Sequence, residues 1–286
     1  MYFNTPLRYP GGKGKLTDYL KLLLVQNDLI DGEYCEPYAG GAGIALNLLM
    51  DGYVSAIHLN DLNRGVYSFW RTILTKPDEF CARIESTPIN MDEWYRQRET
   101  AFDESANEFE VGFATFFLNR CNRSGIIKGG VVGGKAQEGP WKLDARFKKE
   151  ALINRIERIA LRSQQIHVYN HDAVDLITEV LPQLPSNTLV YLDPPYYVKG
   201  SGLYQNFYTH EDHEKIAKLV LAKITHPWLV SYDHAPEIIS MYQGCRSISY
   251  GINYSAQNRY KGAEAMFFSD SLKIPDIKNP SNIHAA

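Results

Sequence analysis

The stretch "YCEPYAGGAGIALNLLM", Tyr34–Met50, decides the fold of this 286-residue chain. A short apolar run leads into a glycine-rich turn, and a helical pattern over Ile44–Met50 follows at once. The next apolar run, "VSAIHLND" (Val54–Asp61), predicts a second strand that ends on an acid. Strand, turn, helix and strand in this order are typical of a parallel sheet with helices on its faces. We therefore expect an α/β fold with a doubly wound sheet.

This alternation is interrupted and then resumes. Between residues 63 and 162 helical patterns dominate, except in the glycine-rich stretch "RSGIIKGGVVGGKAQEGPWKLD", which we interpret as a hairpin or loop outside the core sheet. Further strands are predicted at Gln165–Asn170, Thr188–Asp193, Trp228–Asp233 and Ala263–Ser269. The sequence thus predicts a discontinuous core (residues 1–62 and 163–272), an inserted helical and hairpin lobe (residues 63–162) and a loose tail (residues 273–286).

The composition is that of a folded protein, with 44% hydrophobic and 22% charged residues. The four cysteines are far apart and none forms a C-x-x-C pair, so neither a zinc site nor a disulfide framework is expected. The first residues lack the order of a signal peptide, and no apolar run approaches the roughly 18 residues of a membrane span. We expect a cytoplasmic protein without a membrane partner.

Charge is distributed unevenly along the chain. Residues 119–162 contain eleven Lys or Arg and four Asp or Glu, a local charge of +7 in a chain of net charge −3, so the remainder carries −10. A solvated helix face would explain such a cluster. Glycines and Trp141 interleave with the cations, however, which favours phosphate binding.

A nucleoside site is predicted around "EPYAGGAG", Glu36–Gly43. Glycines let a ligand approach the backbone, and the following helix offers free N–H groups, although a tight strand–helix turn would need the same residues. Asp61 closes the next strand about 20 residues downstream, where an acid binds ribose hydroxyls in nucleotide-binding α/β folds. S-adenosylmethionine (SAM) fits this pattern as well as a dinucleotide does.

Three further residues are candidates for the same site. Asp172 follows the third predicted strand and either reaches the adenine ring or caps a helix. In "LRYPGGKGK", Tyr9 and Lys13 either belong to a flexible start or lie over the cofactor. In the second case the tyrosine face attracts the sulfonium and the ammonium binds the methionine carboxylate.

The stretch "YLDPPYYVKG", Tyr191–Gly200, carries the candidate chemistry. Asp193 ends a strand at the sheet edge where ligands bind, and Pro194 and Pro195 cannot continue the strand ladder. The Asp193 carboxylate and the Pro194 carbonyl can bind both hydrogens of a planar amine, such as the exocyclic amine of adenine. They would stabilise the positive charge that develops when that nitrogen attacks a methyl group.

Aromatic residues follow this acid. Tyr196 could stack on the base and orient the amine, and a base inside a duplex would have to be flipped out to reach it. Four more rings either wall the pocket or pack in the core: Tyr197, Tyr204, Phe207 and Tyr208. The histidine pairs His210-x-x-His213 and His167-x-x-x-His171 lack an evident third ligand, so we expect no metal requirement.

Five motifs, "RYPGGK", "EPYAGGAG", "LND", "NRSG" and "DPPY", stand in the order found in Dam-type (α-class) site-specific adenine DNA methyltransferases. The chain resembles that family over about residues 5–270. The resemblance implies a Rossmann-like fold, SAM as cofactor, and methylation of the 6-amino group of adenine in double-stranded DNA. A methyltransferase for the exocyclic amine of cytosine, or for RNA, is the alternative. A non-catalytic DNA-binding module is disfavoured because "DPPY" and both cofactor acids are present.

Residue patterns and resemblance together define the candidate residues. The cofactor set is Tyr9, Lys13, Glu36, Tyr38, Gly40, Gly43, Asp61, Asp172 and Asp193. The catalytic tetrapeptide is Asp193, Pro194, Pro195 and Tyr196. The DNA-binding set, in the lobe that corresponds to target recognition, is Asn119, Arg120, Asn122, Arg123, Lys128 and Lys135. The resemblance implies a prokaryotic or phage-encoded enzyme, with or without a cognate restriction endonuclease, and leaves its target sequence open.

Overall fold

A computed structural model of the chain describes residues 4–8, 13–198, 208–254 and 260–283. Its centre is a seven-stranded sheet of order β3-β2-β1-β4-β5-β7-β6. The strands are β1 (Glu33–Glu36), β2 (Ala56–Asn60), β3 (Ile166–Tyr169), β4 (Leu189–Leu192), β5 (Trp228–Asp233), β6 (Arg246–Tyr254) and β7 (Tyr260–Phe268). Strands β1 to β5 are parallel, and β7 pairs antiparallel with β5 and β6. The strand order reverses between β1 and β4, and ligands bind beyond such a point in doubly wound sheets.

Helices connect these strands, and several begin at side-chain caps. The helices in the described ranges are α1 (Thr17–Gln26), α2 (Gly43–Met50), α3 (Arg64–Thr75), α4 (Pro77–Ser86), α5 (Met91–Phe102), α6 (Glu108–Cys121), α7 (Lys149–Ala160), α8 (His210–Lys223) and α9 (Pro236–Met241). An irregular helical run, Ala173–Gln183, joins β3 to β4. The side chains of Asn63, Asn90 and Asn107 accept hydrogen bonds from the first N–H groups of α3, α5 and α6, which fixes where those helices begin.

The sheet is buried on both faces because alternate residues of its strands point in opposite directions. In β4, Leu189 and Tyr191 join one apolar cluster, and Val190 and Leu192 join the other. The first cluster contains residues of α1, α2 and the inserted lobe. The second contains residues of the irregular helical run, α8 and α9.

The inserted lobe, α3 to α7, continues the core on the first face. Trp70 of α3 and Phe116 of α6 belong to the same apolar cluster as Tyr34 of the sheet. The Trp70 indole Nε1 also donates a hydrogen bond to the Gly40 carbonyl at 2.9 Å. Residues 63–162 therefore do not pack around a separate core, and their division from the catalytic part is a proposal about function.

The α/β fold with a Rossmann-like sheet is confirmed, and β5 has its predicted bounds. Four elements were not predicted: α1, α4, α9 and the edge strand β6. The glycine-rich stretch after α6 forms turns with a single antiparallel bridge, Asn122 to Val131, so it is a loop and not a paired hairpin. No helix in the described parts of the chain has the length and apolarity needed to cross a membrane.

The prediction of a loose tail at residues 273–286 is wrong for residues 273–283. Pro280 is buried, and Ile274, Ile277 and Ile283 pack against the apolar cluster of the first sheet face. The Lys273 N–H also donates to Asn27 Oδ1 at 2.6 Å, which ties the segment to the end of α1. Regularly spaced isoleucines bury apolar surface here even though the segment is rich in polar residues.

Candidate active site

Asp193 follows β4 at the carboxyl edge of the sheet, and its side chain is 22% exposed. Ser231 Oγ donates to its Oδ1 at 2.9 Å, and Lys13 Nζ lies 3.5 Å from the same oxygen. Within the described residues Oδ2 has no protein donor, so it is open to an N–H group of a substrate. Burial raises the pKa of Asp193 to about 6, because the nearby Lys13 ammonium and the Ser231 hydroxyl offset only part of the desolvation.

A buried glutamate on β7 completes this cluster. Lys13 Nζ lies 2.8 Å from Glu264 Oε1, and the Tyr196 hydroxyl donates to that same oxygen. The Tyr250 hydroxyl donates to Oε2 at 2.8 Å. Burial opposes ionisation of Glu264, but the Lys13 charge and the donated hydrogen bonds outweigh it and lower the pKa of this carboxyl. Two carboxylates and one ammonium thus give the cluster a net charge of about −1 near neutral pH.

Sequence reasoning did not predict Glu264. The sequence nevertheless contains an indication of its role. Glu264 stands between two alanines in the apolar strand "AEAMFFS", and a charged residue that is buried there needs a partner. Ser231 and Asp233 were likewise unpredicted, and both lie near the end of β5. Both contact the Asp193 turn only because β5 lies next to β4 in the sheet. The order of the strands along the chain does not by itself predict that neighbourhood.

The turn after Asp193 is held from the neighbouring strand. Asp233 accepts hydrogen bonds from the Tyr197 N–H at 2.9 Å and from the Val198 N–H at 3.0 Å. Pro194 and Pro195 contribute fixed backbone angles and no donors of their own. The carboxylate of Asp193 is therefore presented on a stiff turn.

Tyr196 is placed with Asp193 and Lys13 but is only 4% exposed. Lys13 Nζ lies 5.0 Å from the centre of its ring. The predicted stacking plate therefore has little open surface in this conformation, and its contacts with Lys13 and Glu264 make it a support of the charged cluster. Tyr197 is half-buried, and its hydroxyl lies 3.0 Å from His210 Nδ1.

The glycine turn and Asp61 meet as predicted. Asp61 Oδ2 accepts the Gly40 N–H at 3.0 Å and Oδ1 accepts the Asn63 N–H at 2.8 Å. Gly40 (φ 48°) and Ala42 (φ 46°) both have left-handed backbones, which makes the turn sharp where α2 begins at Gly43. Burial raises the pKa of Asp61 to about 6, although both N–H groups favour its ionised form.

Glu36 precedes this turn as a buried acid. Burial raises the pKa of Glu36 to about 8, despite hydrogen bonds from the Tyr34 hydroxyl and the Ala45 N–H. No cationic side chain pairs with it in the described parts of the chain. A positively charged ligand beside it would restore its ionised form. The carboxyl groups of Glu36 and the half-buried Asp61 together fit a cationic nucleoside such as SAM, because one can balance a positive charge and the other can accept hydrogen bonds from hydroxyls.

The other predicted cofactor residues are placed as follows. Lys13, for which binding of the methionine carboxylate was one of two alternatives, has its ammonium 2.8 Å from Glu264 and 3.5 Å from Asp193. Asp172 Oδ1 accepts the Val174 N–H at 2.8 Å, which is the helix-cap alternative. The Tyr38 hydroxyl lies 3.0 Å from that of Tyr208. Tyr9, and the predicted pocket residues Tyr204 and Phe207, lie outside the described residues.

Two of the predicted DNA-binding residues are revised. Asn119 and Asn122 are 2% and 0% exposed, and their amides bond to the backbone and to Trp94 within the protein. Neither side chain offers an accessible atom to a nucleic acid in this conformation. Their chemistry is that of buried amides that fix local backbone.

Arg120 belongs to a cluster of cations. Its guanidinium donates to the carbonyls of Arg146 and Pro6. Burial, followed by repulsion from Arg8, Arg155 and Arg146, lowers the pKa of Arg120. Guanidinium groups remain charged at neutral pH, so this cluster concentrates positive charge beside the N-terminal segment.

The remaining DNA-binding candidates come together at one cavity. Exposed Arg123, Lys128 and Lys135 line a cavity of about 660 Å³ between α5 and the glycine-rich loop. Its other walls include Trp94, Tyr95, Arg98, Glu99 and Phe102. Outside the cavity, the same loop carries Trp141, which is 69% exposed. Cations and open aromatic rings on one surface are typical of nucleic-acid contacts.

The fold and the site define a class: an α/β protein with a glycine-rich turn and buried or half-buried acids at the sheet's reversal point, and with a carboxylate–ammonium cluster beside them. A family model described as D12 class N6 adenine-specific DNA methyltransferase matches residues 9–258. The chain belongs to this family and is a SAM-dependent methyltransferase. The predicted resemblance is confirmed.

Comparisons with solved structures give weaker likenesses. The protein yhhF of Escherichia coli, described as a methyltransferase, has 10% identity and a TM-score of 0.35 and covers 89% of this chain and 85% of its own. The rRNA methyltransferase aviRa of Streptomyces viridochromogenes has 12% identity and a TM-score of 0.42, with coverage of 90% and 83%. Protein LPL1258 of Legionella pneumophila has 12% identity and a TM-score of 0.32, with coverage of 90% and 85%. Such scores support no inference about this chain. No curated protein matches the sequence.

Proposed function

We propose that this protein methylates the 6-amino group of adenine at a specific site in double-stranded DNA, after the base is flipped out of the duplex. The observation that carries the proposal is the cluster of Lys13, Asp193 and Glu264 beside the turn that contacts Asp61. Family membership supports adenine as the base and DNA as the substrate. SAM supplies the transferable methyl group on its sulfonium.

The cofactor would be held by the glycine turn and the acids around it. Asp61 keeps acceptor capacity for ribose hydroxyls after binding two N–H groups. Glu36 would become ionised opposite a positive group, and Gly40 leaves space for the ligand to approach the backbone. Tyr9, Tyr38, Gly43 and Asp172 remain proposed members of this site.

Asp193 would act on the adenine amine as an acceptor and not as a strong base. Its open Oδ2 would receive one N–H, and the Pro194 carbonyl would receive the other. As the nitrogen attacks the methyl group, the bond from that methyl to sulfur would break and the sulfur would leave as a neutral thioether. The nitrogen gains positive charge, which the net negative cluster would stabilise, and it would then lose one proton to solvent. Lys13 and Ser231 hold Oδ1, so the acceptor is preorganised before the amine arrives.

The inserted lobe, residues 63–162, is proposed to recognise the target. Arg123, Lys128 and Lys135 provide phosphate or base-edge contacts at the cavity beside α5. The cluster around Arg120 adds positive charge for the DNA backbone. A duplex must give up the stacking of one base to reach Asp193, and contacts along the lobe would supply that free energy.

Expression in a host that lacks adenine methylation, followed by single-molecule sequencing of its DNA, tests the proposal. We expect N6-methyladenine confined to one short sequence, and none in the same host with an empty vector. The proposal fails if the intact protein leaves adenine in the DNA unmodified, or if modification falls on cytosine instead. The same data reveal the target sequence.

A further inference from the structure

The cavity between α5 and the glycine-rich loop contains one acid among cations. Its lining includes the acid Glu99 and the cations Arg98, Arg123, Lys128 and Lys135. Within the described residues, none of these five side chains takes part in the ion pairs of the lobe, which join other residues. The cations suit DNA phosphates, whereas an acid repels them, so the presence of Glu99 in this wall needs a separate explanation.

Helix α5 carries Glu99 on the face that lines the cavity. Four residues with the spacing i, i+3, i+4 and i+7 form this face: Tyr95, Arg98, Glu99 and Phe102. Tyr95 is 44% exposed and Phe102 is 45% exposed, and Glu99 between them is exposed as well. The buried Trp94 donates from its Nε1 to Asn122 Oδ1 at 2.8 Å, which anchors α5 at the end of α6. The Glu99 carboxylate is thus presented from an anchored helix.

The cation next to Glu99 in the sequence is engaged elsewhere. The Arg98 guanidinium lies 5.2 Å from the centre of the Trp94 ring, and its Nη1 donates to the Gly129 carbonyl at 3.3 Å. In the described parts of the chain, the Glu99 carboxylate has neither a hydrogen bond nor an ion pair. Its two oxygens therefore keep their full capacity to accept hydrogen bonds from a ligand.

DNA offers few partners for such a carboxylate. Phosphate oxygens only accept hydrogen bonds, and they carry the same sign of charge. In the major groove the donors are the exocyclic amines of adenine and cytosine, whereas guanine O6 and thymine O4 are acceptors. A carboxylate that loses water beside the rings of Tyr95 and Phe102 needs a donor, because a desolvated acceptor without one is costly. An amino base meets this need and a keto base does not.

We propose that Glu99 is a specificity-determining residue that accepts a hydrogen bond from the exocyclic amine of one target-site base, an adenine or a cytosine other than the methylated adenine. The proposal rests on the proposed function, because the cavity must face the DNA that is methylated. The surrounding cations hold phosphates whatever the sequence. Glu99 rejects guanine or thymine at its position, since two acceptors would then face each other.

Glu99→Ala tests the assignment on duplexes that differ from the wild-type target sequence by one base pair. At one position we expect the wild type to methylate the amino-base duplex about tenfold faster or more than the keto-base duplex. In Glu99→Ala this ratio should fall below about threefold. Glu138→Ala is the matched control, because it removes the same charge from an exposed site on the glycine-rich loop outside the cavity lining. It should keep the wild-type ratio.

Glu99→Gln gives a second, directional test and keeps the size of the side chain. The glutamine amide can donate as well as accept, so this variant should methylate the keto-base duplex faster than the wild type does. A Glu99→Gln variant that still rejects guanine and thymine as strongly as the wild type overturns the proposal.

Removal of the amine from the DNA tests the contact from the other side. Purine in place of adenine, or 2-pyrimidinone in place of cytosine, deletes the exocyclic amine at the assigned position. This should slow the wild type about tenfold and Glu99→Ala less than about twofold, because the variant no longer uses the amine. An equal loss in both proteins overturns the contact.

The two levels of the proposal fail differently. A wild-type enzyme that transfers no methyl group to any DNA contradicts the proposed function. An active wild type, with a Glu99→Ala variant of unchanged sequence preference or with a Glu138→Ala variant that relaxes it equally, contradicts only the role of Glu99.

Discussion

At the scale of single residues, opposing interactions set the pKa of Asp193. Burial and the negative charge of Glu264 favour its neutral form, whereas Lys13 and Ser231 favour its ionised form. The carboxyl is therefore ionised at neutral pH, but its pKa, raised to about 6, lies close to neutrality. An acceptor for an amine needs the ionised form, so the pH dependence of the reaction reports on this balance.

We expect the rate of methyl transfer to fall as the pH is lowered through about 6, where Asp193 becomes protonated. The sign follows from the raised pKa: below it the carboxyl carries a proton and Oδ2 or Oδ1 loses acceptor capacity. Single-turnover rates measured across this range at saturating SAM check the prediction. Saturation matters because Asp61, whose pKa is also about 6, would act through SAM binding. A flat profile down to about pH 5 contradicts it.

Glu264→Gln should slow transfer by about tenfold or more, because the cluster loses the negative charge that stabilises the developing cation. It should also move the acid limb to lower pH, since Glu264 is one cause of the raised pKa of Asp193. Tyr250→Phe is the control, because it removes the hydrogen bond to Oε2 and keeps the charge of Glu264. Identical pH profiles for wild type and Glu264→Gln would rule out this electrostatic link.

At the scale of helices and strands, the sequence predicts those elements that have a clear pattern of apolar residues. The core strand β5 was found with its predicted bounds because it is an apolar run bounded by turn residues. Strand β6, "RSISYGINY", alternates polar and apolar residues around a glycine and was missed at the edge of the sheet. The glycine-rich loop could not be assigned either, because turns and hairpins use the same residues.

Some contacts of the candidate site could likewise be predicted from the sequence, and others could not. Gly40 and Asp61 could be predicted to meet, since both lie at the carboxyl ends of adjacent parallel strands. Glu264 could not, because its approach to Lys13 depends on the antiparallel strand β7 beside β5. Asn119 looked like a nucleic-acid ligand by residue type, and only its burial reveals its backbone contacts.

The cations that line the cavity between α5 and the glycine-rich loop predict that DNA binding weakens as the salt concentration rises. Lys128→Ala and Lys135→Ala should each weaken DNA binding and reduce the slope of log affinity against log salt by about one. Lys218→Ala, on the exposed face of α8, should leave the slope unchanged. Fluorescence anisotropy with a labelled duplex over a range of salt concentrations measures this. Equal slopes for all three variants and wild type would exclude the cavity from the DNA interface.

At the scale of the whole molecule, the inserted lobe and the sheet share one apolar cluster. Trp70 bridges them, packed in that cluster and hydrogen-bonded to the glycine turn. The proposed division of function therefore separates two regions that share one apolar cluster. The geometry of the active site depends on the lobe remaining folded.

We expect thermal unfolding of the intact protein to be a single transition. Trp70 and Trp94 report on the lobe and Trp228 on the sheet, so tryptophan fluorescence and far-ultraviolet circular dichroism should give coincident curves. Two separated transitions, with the lobe melting first, would contradict a shared core.

The most direct measurement is transfer of a labelled methyl group from SAM to unmethylated duplex DNA, followed by digestion to nucleosides. Wild type and the exposed-site control Asp276→Asn should both place the label on N6-methyl-2′-deoxyadenosine. Asp193→Asn, which keeps the shape of the side chain but removes its charge, should lower the rate by roughly 10² to 10³. Label on a different nucleoside, or an Asp193→Asn variant as fast as wild type, would contradict the account.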